Sequence, residues 1–218
     1  MTKTEKKERL KKIVERMKEI YPEPACALEY GGDPWRLMVM GRLSAQCTDA
    51  RVNTVCRELF SAYPTADALA LGDIEDIERI VKPCGLYHTK AASIKEASRI
   101  LAFEMGGVLP DTMDGLLVLP GVGRKVASLI LGDIYKAHVV VCDTHFMRIM
   151  GRLGMYREGL RDPDKIERLM LELMPEGEGS DFCHRIVFFG REWCPARGND
   201  CTVCPMRDLC PHGEVKNG

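Results

Sequence analysis

The chain contains no run of about 18 uncharged apolar residues, so no segment is built to cross a membrane as a helix, and no membrane partner is expected. An apolar leader is missing as well. Residues 1–20 are rich in Lys and Glu, which is not the pattern of a secretory signal, and Glu5, Glu8, Glu15 and Glu19 make a poor organelle-targeting peptide. A cytoplasmic location is the expectation. Repeats, low-complexity tracts and long linkers are also lacking, and 218 residues suffice for one large domain or two small ones with a real core. Neither sign of charge dominates: 31 Lys/Arg stand against 32 Asp/Glu, net -1. The charge is nonetheless segregated. Residues 1–20 carry eight cations and four acids, residues 144–161 four arginines and one acid, and residues 162–181 seven acids and two cations. A neutral total can therefore hold a basic face beside an acidic one. A disulfide framework is not expected, because ten cysteines in a chain without an export signal read as reduced thiols and metal ligands.

What is present reads almost entirely as helix. Leu10, Ile13, Val14, Met17 and Ile20 form an amphipathic stripe. Asp33-Pro34 is a cap followed by a first-turn proline, opening a helix from Trp35 to about Gln46. Thr48 or Asp49 caps the next, with Val52, Val55, Cys56, Leu59 and Phe60 on one face. Short helices over 65–71 and 73–82 are separated by Gly72 and stopped by Pro83; a longer one runs over 87–105 to Gly106-Gly107. A short helix, a glycine turn and a helix from Gly123 to about Tyr135 follow, then helices at 162–174 and about 180–192. The run VVVC at 139–142 is the one strand-like stretch. The expected class is all-α.

Three features carry chemistry. The first is LPGVGRK at 119–125, a helix, a Pro-Gly-Val-Gly turn and a helix. Amides at such a turn form an anion cradle suited to one DNA phosphate, although a glycine-rich turn can also be only a turn. The spacing from the glycines to the lysine is not that of a P-loop, and no Ser or Thr follows it. Lys125 occupies the first turn of the second helix, where the helix disfavours a cation; partial burial would act the same way. A lysine that is neutral part of the time can attack an electrophilic carbon and form a Schiff base; a solvated surface lysine is the plainer alternative. The second feature is the tail with Cys194, Cys201, Cys204 and Cys210, C-x6-C-x2-C-x5-C. Four thiolates so close repel unless a metal neutralises them, and both zinc and a four-iron cluster accept four cysteines. Cys26, Cys47, Cys56, Cys84, Cys142 and Cys183 are scattered among apolar neighbours and read as small hydrophobes. The third is Asp143, a helix N-cap whose carboxylate can also face a cleft. His88, His138, His145 and His184 show no ligand spacing.

LSAQCTD (43–49), GLYHTKA (85–91), LPGVGRK with VCDTH (141–145), and the cysteine tail together resemble the endonuclease III family. These are the iron–sulfur DNA glycosylases and abasic-site lyases of the helix-hairpin-helix superfamily, and the resemblance runs nearly end to end. It implies a six-helix domain over 26–137 and a discontinuous domain over 1–25 and 138–218 that carries a [4Fe–4S] cluster on the four tail cysteines, with a catalytic groove between the two. It further implies Lys125 as the Schiff-base nucleophile and Asp143 as its carboxylate partner. Gln46 would fill the gap left by a flipped base, Leu86 would be the apolar wedge, and Gly121, Gly123 and Arg124 would hold the DNA backbone. The implied partner is double-stranded DNA with damaged, oxidised (pyrimidine) bases or abasic sites, bound by a nucleoid-associated monomer. The adenine-mismatch branch of the superfamily generally lacks the lysine and uses a glutamate in the helix where RLSAQ stands here, so it fits less well. The alternative from another class is a DNA-binding or redox module without catalysis, its hairpin and cluster serving only to dock, which borohydride trapping on abasic DNA would separate from the enzyme. Leu117, where an acid is frequent, and His88, where an asparagine is usual, depart from the family pattern and bear on lesion preference.

Overall fold

A computed structural model describes residues 1–212; residues 213–218, which the expected cluster domain includes, lie outside the described residues. The chain divides into two units, Cys26–Tyr135 and a second made of Met1–Ala25 with the chain from Lys136 on. No strand occurs among the described residues.

The continuous unit holds α2 (Pro34–Leu43), α3 (Asp49–Ala62), α4 (Ala66–Leu71), α5 (Ile74–Val81), α6 (Tyr87–Phe103), the five-residue α7 (Met113–Leu117) and α8 (Arg124–Asp133). Local chemistry sets most boundaries. Asp33, Thr65, Asp73 and Thr112 each accept a bond from a first-turn amide, and Pro34 occupies the first turn of α2. Helix α2 stops at Leu43, three residues before the expected Gln46, and Pro83 sits inside a 3-10 turn (Lys82–Cys84) that extends α5. The core comes from the apolar faces: Leu37, Met38 and Met40 of α2, Val52 and Leu59 of α3, Ile94 and Leu101 of α6, and Ile130 of α8 are buried. Helices α2 and α8 approach closely, since a Cβ on Gly41 would come 2.9 Å from Val126 Cγ1.

The discontinuous unit holds α1 (Lys3–Ile20), α9 (Thr144–Arg152), α10 (Pro163–Leu171) and α11 (Gly179–Glu192), followed by the irregular cysteine loop. The stripe of α1 is buried at Leu10, Ile13, Val14 and Met17, each contributing about 1.5–3 kcal/mol of transfer free energy. The VVVC run is an extended connection, not a strand. Val141 N–H donates to Cys183 Sγ (3.3 Å), and a Cβ on Gly179 would meet Val139 O at 1.9 Å. The segment is apolar because it is buried against α11.

Candidate active site

In the continuous unit the hairpin turn is defined by three observations. Val122 N–H donates to Leu119 O (3.0 Å), Pro120 and Gly121 are the central residues, and Gly121 has φ +80, the pattern of a type II turn. A Cβ at Gly121 would come 2.5 Å from Arg42 Nε and 2.9 Å from Ser93 Oγ, so the turn rests directly on the hydrogen-bonded Arg42–Ser93 pair (2.8 Å). Gly123 is the N-cap of α8 and makes no side-chain cap bond. The first intrahelical bond runs from Ala127 N–H to Gly123 O (2.9 Å), so the amides before it find no acceptor within the helix. Gly121, Gly123, Arg124 and Lys125 are thus gathered at one electropositive helix start that holds no acid in its first turn. Lys125 is exposed, so the partial burial that would act with the helix end is absent.

Gln46 and Leu86 lie on two loops of the same unit, and both adopt left-handed backbone (φ 55 and 47). For non-glycine residues this conformation costs on the order of 1–3 kcal/mol each. Both side chains are exposed, Leu86 at 60%. His88, two residues after Leu86, pairs its Nδ1 with Glu78 (2.7 Å) and lies against Tyr87, with ring centroids 4.0 Å apart. Leu117 is partly exposed at the end of α7. Three helices of this unit lack a side-chain N-cap bond: α3 after the Gln46 loop, α6 at Leu86 itself, and α8 at Gly123.

Asp143 belongs to the discontinuous unit. It caps α9: Phe146 N–H donates to Oδ1 at 2.7 Å, and Oδ2 is 3.5 Å from His145 Nδ1. The cap reading of this residue is therefore realised, with one oxygen occupied by the helix start.

The four tail cysteines line one cavity, walled on its apolar side by Ile149, Leu153, Phe189 and Met206. Burial and the thiols of Cys194, Cys210 and Cys201 push the Cys204 thiol above its ordinary range. Donors already point at the sulfurs: Arg152 Nη1 to Cys194 Sγ (3.1 Å) and Asn199 Nδ2 to Cys201 Sγ (3.0 Å). Arg152 Nε and His212 Nε2, on residues lining this cavity, are buried without a hydrogen-bond partner. The basic patch at 144–161 is partly turned inward to this loop. Arg148 donates to Cys194 O (2.9 Å) and Arg152 to Pro195 O (2.9 Å), and burial pushes the Arg148 guanidinium down. Of the scattered cysteines, Cys56, Cys84 and Cys183 are buried and Cys26, Cys47 and Cys142 partly so; burial pushes Cys26 and Cys142 up to about 12.

Among the buried polar residues that escaped the sequence reading is Lys90, with no solvent exposure. The signal was available, since Lys90, Ile94, Ala97 and Leu101 share the buried face of α6 and only one of them is charged.

Residues 39–176 match the family described as HhH-GPD superfamily base excision DNA repair protein. The chain is 40% identical over 211 residues to Endonuclease III of Synechocystis sp., covering 96% of this chain and 95% of that one. It is 32% identical over 202 residues to Endonuclease III of Escherichia coli, covering 93% and 94%. Among solved structures, a non-covalent Endonuclease III–DNA complex aligns with a TM-score of 0.89 at 32% identity, covering 100% of this chain and 99% of that one. A trapped Endonuclease III–DNA covalent intermediate gives the same TM-score and identity, and a thermostable thymine-DNA glycosylase, 21% identical with a TM-score of 0.85, shares the fold. Similarity over almost the whole of both chains, with the hairpin in the matched region, identifies the chain as a member of the endonuclease III family of HhH-GPD base excision repair enzymes, DNA glycosylases that also cleave abasic sites.

Proposed function

We propose that Lys125 is the nucleophile of this glycosylase and lyase, acting on duplex DNA that carries oxidised pyrimidines or abasic sites. The observation that carries the reading is the start of α8: an exposed lysine amine in the first turn, behind a Pro-Gly-Val-Gly turn whose helix end has no side-chain cap. A phosphate at that end would meet the amides and the positive helix pole, which positions the strand. The damaged nucleotide leaves the stack to be reached. The Lys125 amine then forms a bond to the sugar C1′ as the bond from C1′ to the base breaks, and the base departs with a proton. The sugar ring then opens: the C1′–O4′ bond breaks as the nitrogen forms the C=N bond of the Schiff base, and O4′ takes up a proton. Loss of a C2′ proton from the Schiff base breaks the C3′–O bond, releasing the 3′ phosphate and cutting the strand on the 3′ side of the lesion. In this reading Asp143, the N-cap of α9, supplies the carboxylate that stabilises positive charge developing on the sugar. Gln46 and Leu86 occupy the space that the flipped nucleotide vacates, and Arg124 adds a backbone contact. Borohydride reduction on abasic duplex should yield a covalent adduct that peptide mapping assigns to Lys125; an adduct mapped to another amine would overturn the assignment.

Cys194, Cys201, Cys204 and Cys210 are proposed to hold a [4Fe–4S] cluster, a reading supported by their lining of one cavity and by the buried donors on Arg152 and His212. Bound there, the cluster supplies iron–sulfur bonds that cross-link a loop otherwise short of regular structure. Purified protein should contain iron and inorganic sulfide in equal amounts and no stoichiometric zinc. A colourless, fully active protein with one zinc would refute it.

A further inference from the structure

Lys90 is held in the interior of the continuous unit with no solvent exposure, and its Nζ donates to three backbone carbonyls: Leu43 O at 2.9 Å, Ala45 O at 2.7 Å and Cys84 O at 2.7 Å. An ammonium has three N–H donors and no acceptor, so donors and acceptors match one to one. Each carbonyl lies at the end of a helical segment. Leu43 is the last residue of α2, Ala45 stands two residues beyond it after the C-cap Ser44, and Cys84 closes the 3-10 turn after α5. Such carbonyls lack intrahelical partners and form the negative pole of a helix, where a cation is favoured. Burial pushes the ammonium below its ordinary range, and the neighbouring Cys84 and Cys47 oppose that shift. Glycine or water ordinarily satisfies helix ends at far smaller desolvation cost. What only a buried lysine can add is a connection, because one nitrogen ties together two loops remote in sequence. Immediately beyond the tied carbonyls stand Gln46, after Ala45, and Leu86, two residues after Cys84, each held in left-handed backbone.

We infer that Lys90 is a positioning residue that joins the Gln46 and Leu86 loops into one rigid device, so that both side chains enter the duplex together. The inference rests on the reading above that these two residues fill the vacated space. Two single variants, Lys90→Met and Leu86→Ala, and the double variant test it. Single-turnover rates are measured for excision of a paired oxidised pyrimidine and for cleavage at a preformed abasic site, at a temperature where circular dichroism shows each variant folded. Lys90→Met should slow excision about tenfold more than abasic cleavage, because only the former requires the stack to be broken. The double variant should excise no more slowly than the slower single variant. Equal losses on both substrates in Lys90→Met, or losses that multiply in the double variant, overturn Lys90 as a positioning residue while the insertion reading stands. Equal losses on both substrates in Leu86→Ala overturn the insertion reading and the Lys90 inference with it. Should Lys90→Met not fold, acetic anhydride labelling of the unsubstituted enzyme gives a second readout: Lys90 should stay unmodified both free and on abasic duplex, and labelling at the rate of exposed lysines in either state would overturn a fixed anchor.

Discussion

Helices α8 and α9 begin in opposite ways. At α9 the chain supplies its own anion: the Asp143 carboxylate accepts from Phe146 N–H at 2.7 Å and sits at the positive pole of the helix. At α8 it supplies a glycine with no side chain, then Arg124 and Lys125, two cations at the same pole. A side-chain cap contributes typically about 1 kcal/mol and a well-placed charge roughly 0.3–1 kcal/mol. The start of α8 therefore forgoes stability that the same chain collects at seven other helices, capped by Thr2, Asp33, Thr65, Asp73, Thr112, Asp143 and Asp162. Under the proposed function, the start of α8 is the place that would receive a DNA phosphate, whereas α9 is capped by its own chain. The other two uncapped starts in the same unit, α3 and α6, follow Gln46 and coincide with Leu86.

Four substitutions break or sharpen this contrast. Lys125→Gln removes the amine and leaves the helix, so strand cleavage at an abasic site should fall on the order of a thousandfold or more. Because the side chain is exposed, thermal stability should move by less than about 0.5 kcal/mol; single-turnover cleavage beside a melting curve reads both, and retained cleavage would return Lys125 to the status of a surface charge. Asp143→Asn separates the cap from the charge, since asparagine caps about as well as aspartate. Base excision should drop roughly 10²–10³-fold with a stability change below about 1 kcal/mol. If excision rates survive the change, the start of α9 has no task beyond capping, and the contrast with α8 loses half its meaning.

Gly121→Ala places a Cβ against Arg42 Nε and Ser93 Oγ in a φ +80 backbone, and should cost about 1–3 kcal/mol in denaturant unfolding together with affinity for abasic duplex. An unfolding midpoint like that of the parent would mean that the turn does not rest on those side chains. The smallest effect belongs to Gly123→Asp, which makes α8 start as α9 does. A Cβ there meets nothing within 4 Å, and Gly123 has φ -92, so the new side chain fits. Stability should rise by a few tenths of a kcal/mol to about 1 kcal/mol, while duplex affinity falls because a carboxylate occupies the anion's place. A variant that is more stable yet binds as tightly as the parent would show that no phosphate sits there.

Where local chemistry decides, the sequence was readable. Asp33-Pro34, Thr65, Gly72 and Asp73 bound their helices as turn and cap preferences require, and the hairpin follows from Pro120, Gly121 and Gly123. Where tertiary surroundings decide, it was not. Val139–Val141 is apolar because it is buried, and a short apolar run has the same composition whether it pairs with a strand or lies against a helix. Arg148 and Arg152 looked like a basic surface until their donors were seen directed at the cysteine loop. Lys90 was hidden by the ordinary expectation that lysines face water. The roles of Gln46 and Leu86 came from family resemblance alone, because an exposed residue in left-handed backbone leaves no periodic signal.

The discontinuous unit has a consequence for how the protein is made. Arg9, on α1, donates to Leu153 O and to Leu209 O, and Arg16 reaches Pro205 O and Asp208. Arg9 and Leu209 are 200 residues apart in the chain, a distance the ribosome covers in roughly 10 to 40 seconds. During that interval Cys26–Tyr135 is already a contiguous stretch able to collapse on itself, whereas α1 waits with Leu10, Ile13, Val14 and Met17 uncovered. Cys210, the last of the four cysteines proposed as ligands, follows Leu209, so a cluster could be assembled on the complete set only once the chain through both segments has been made. Until then the uncovered face of α1 is the surface a nascent-chain chaperone would have to shield.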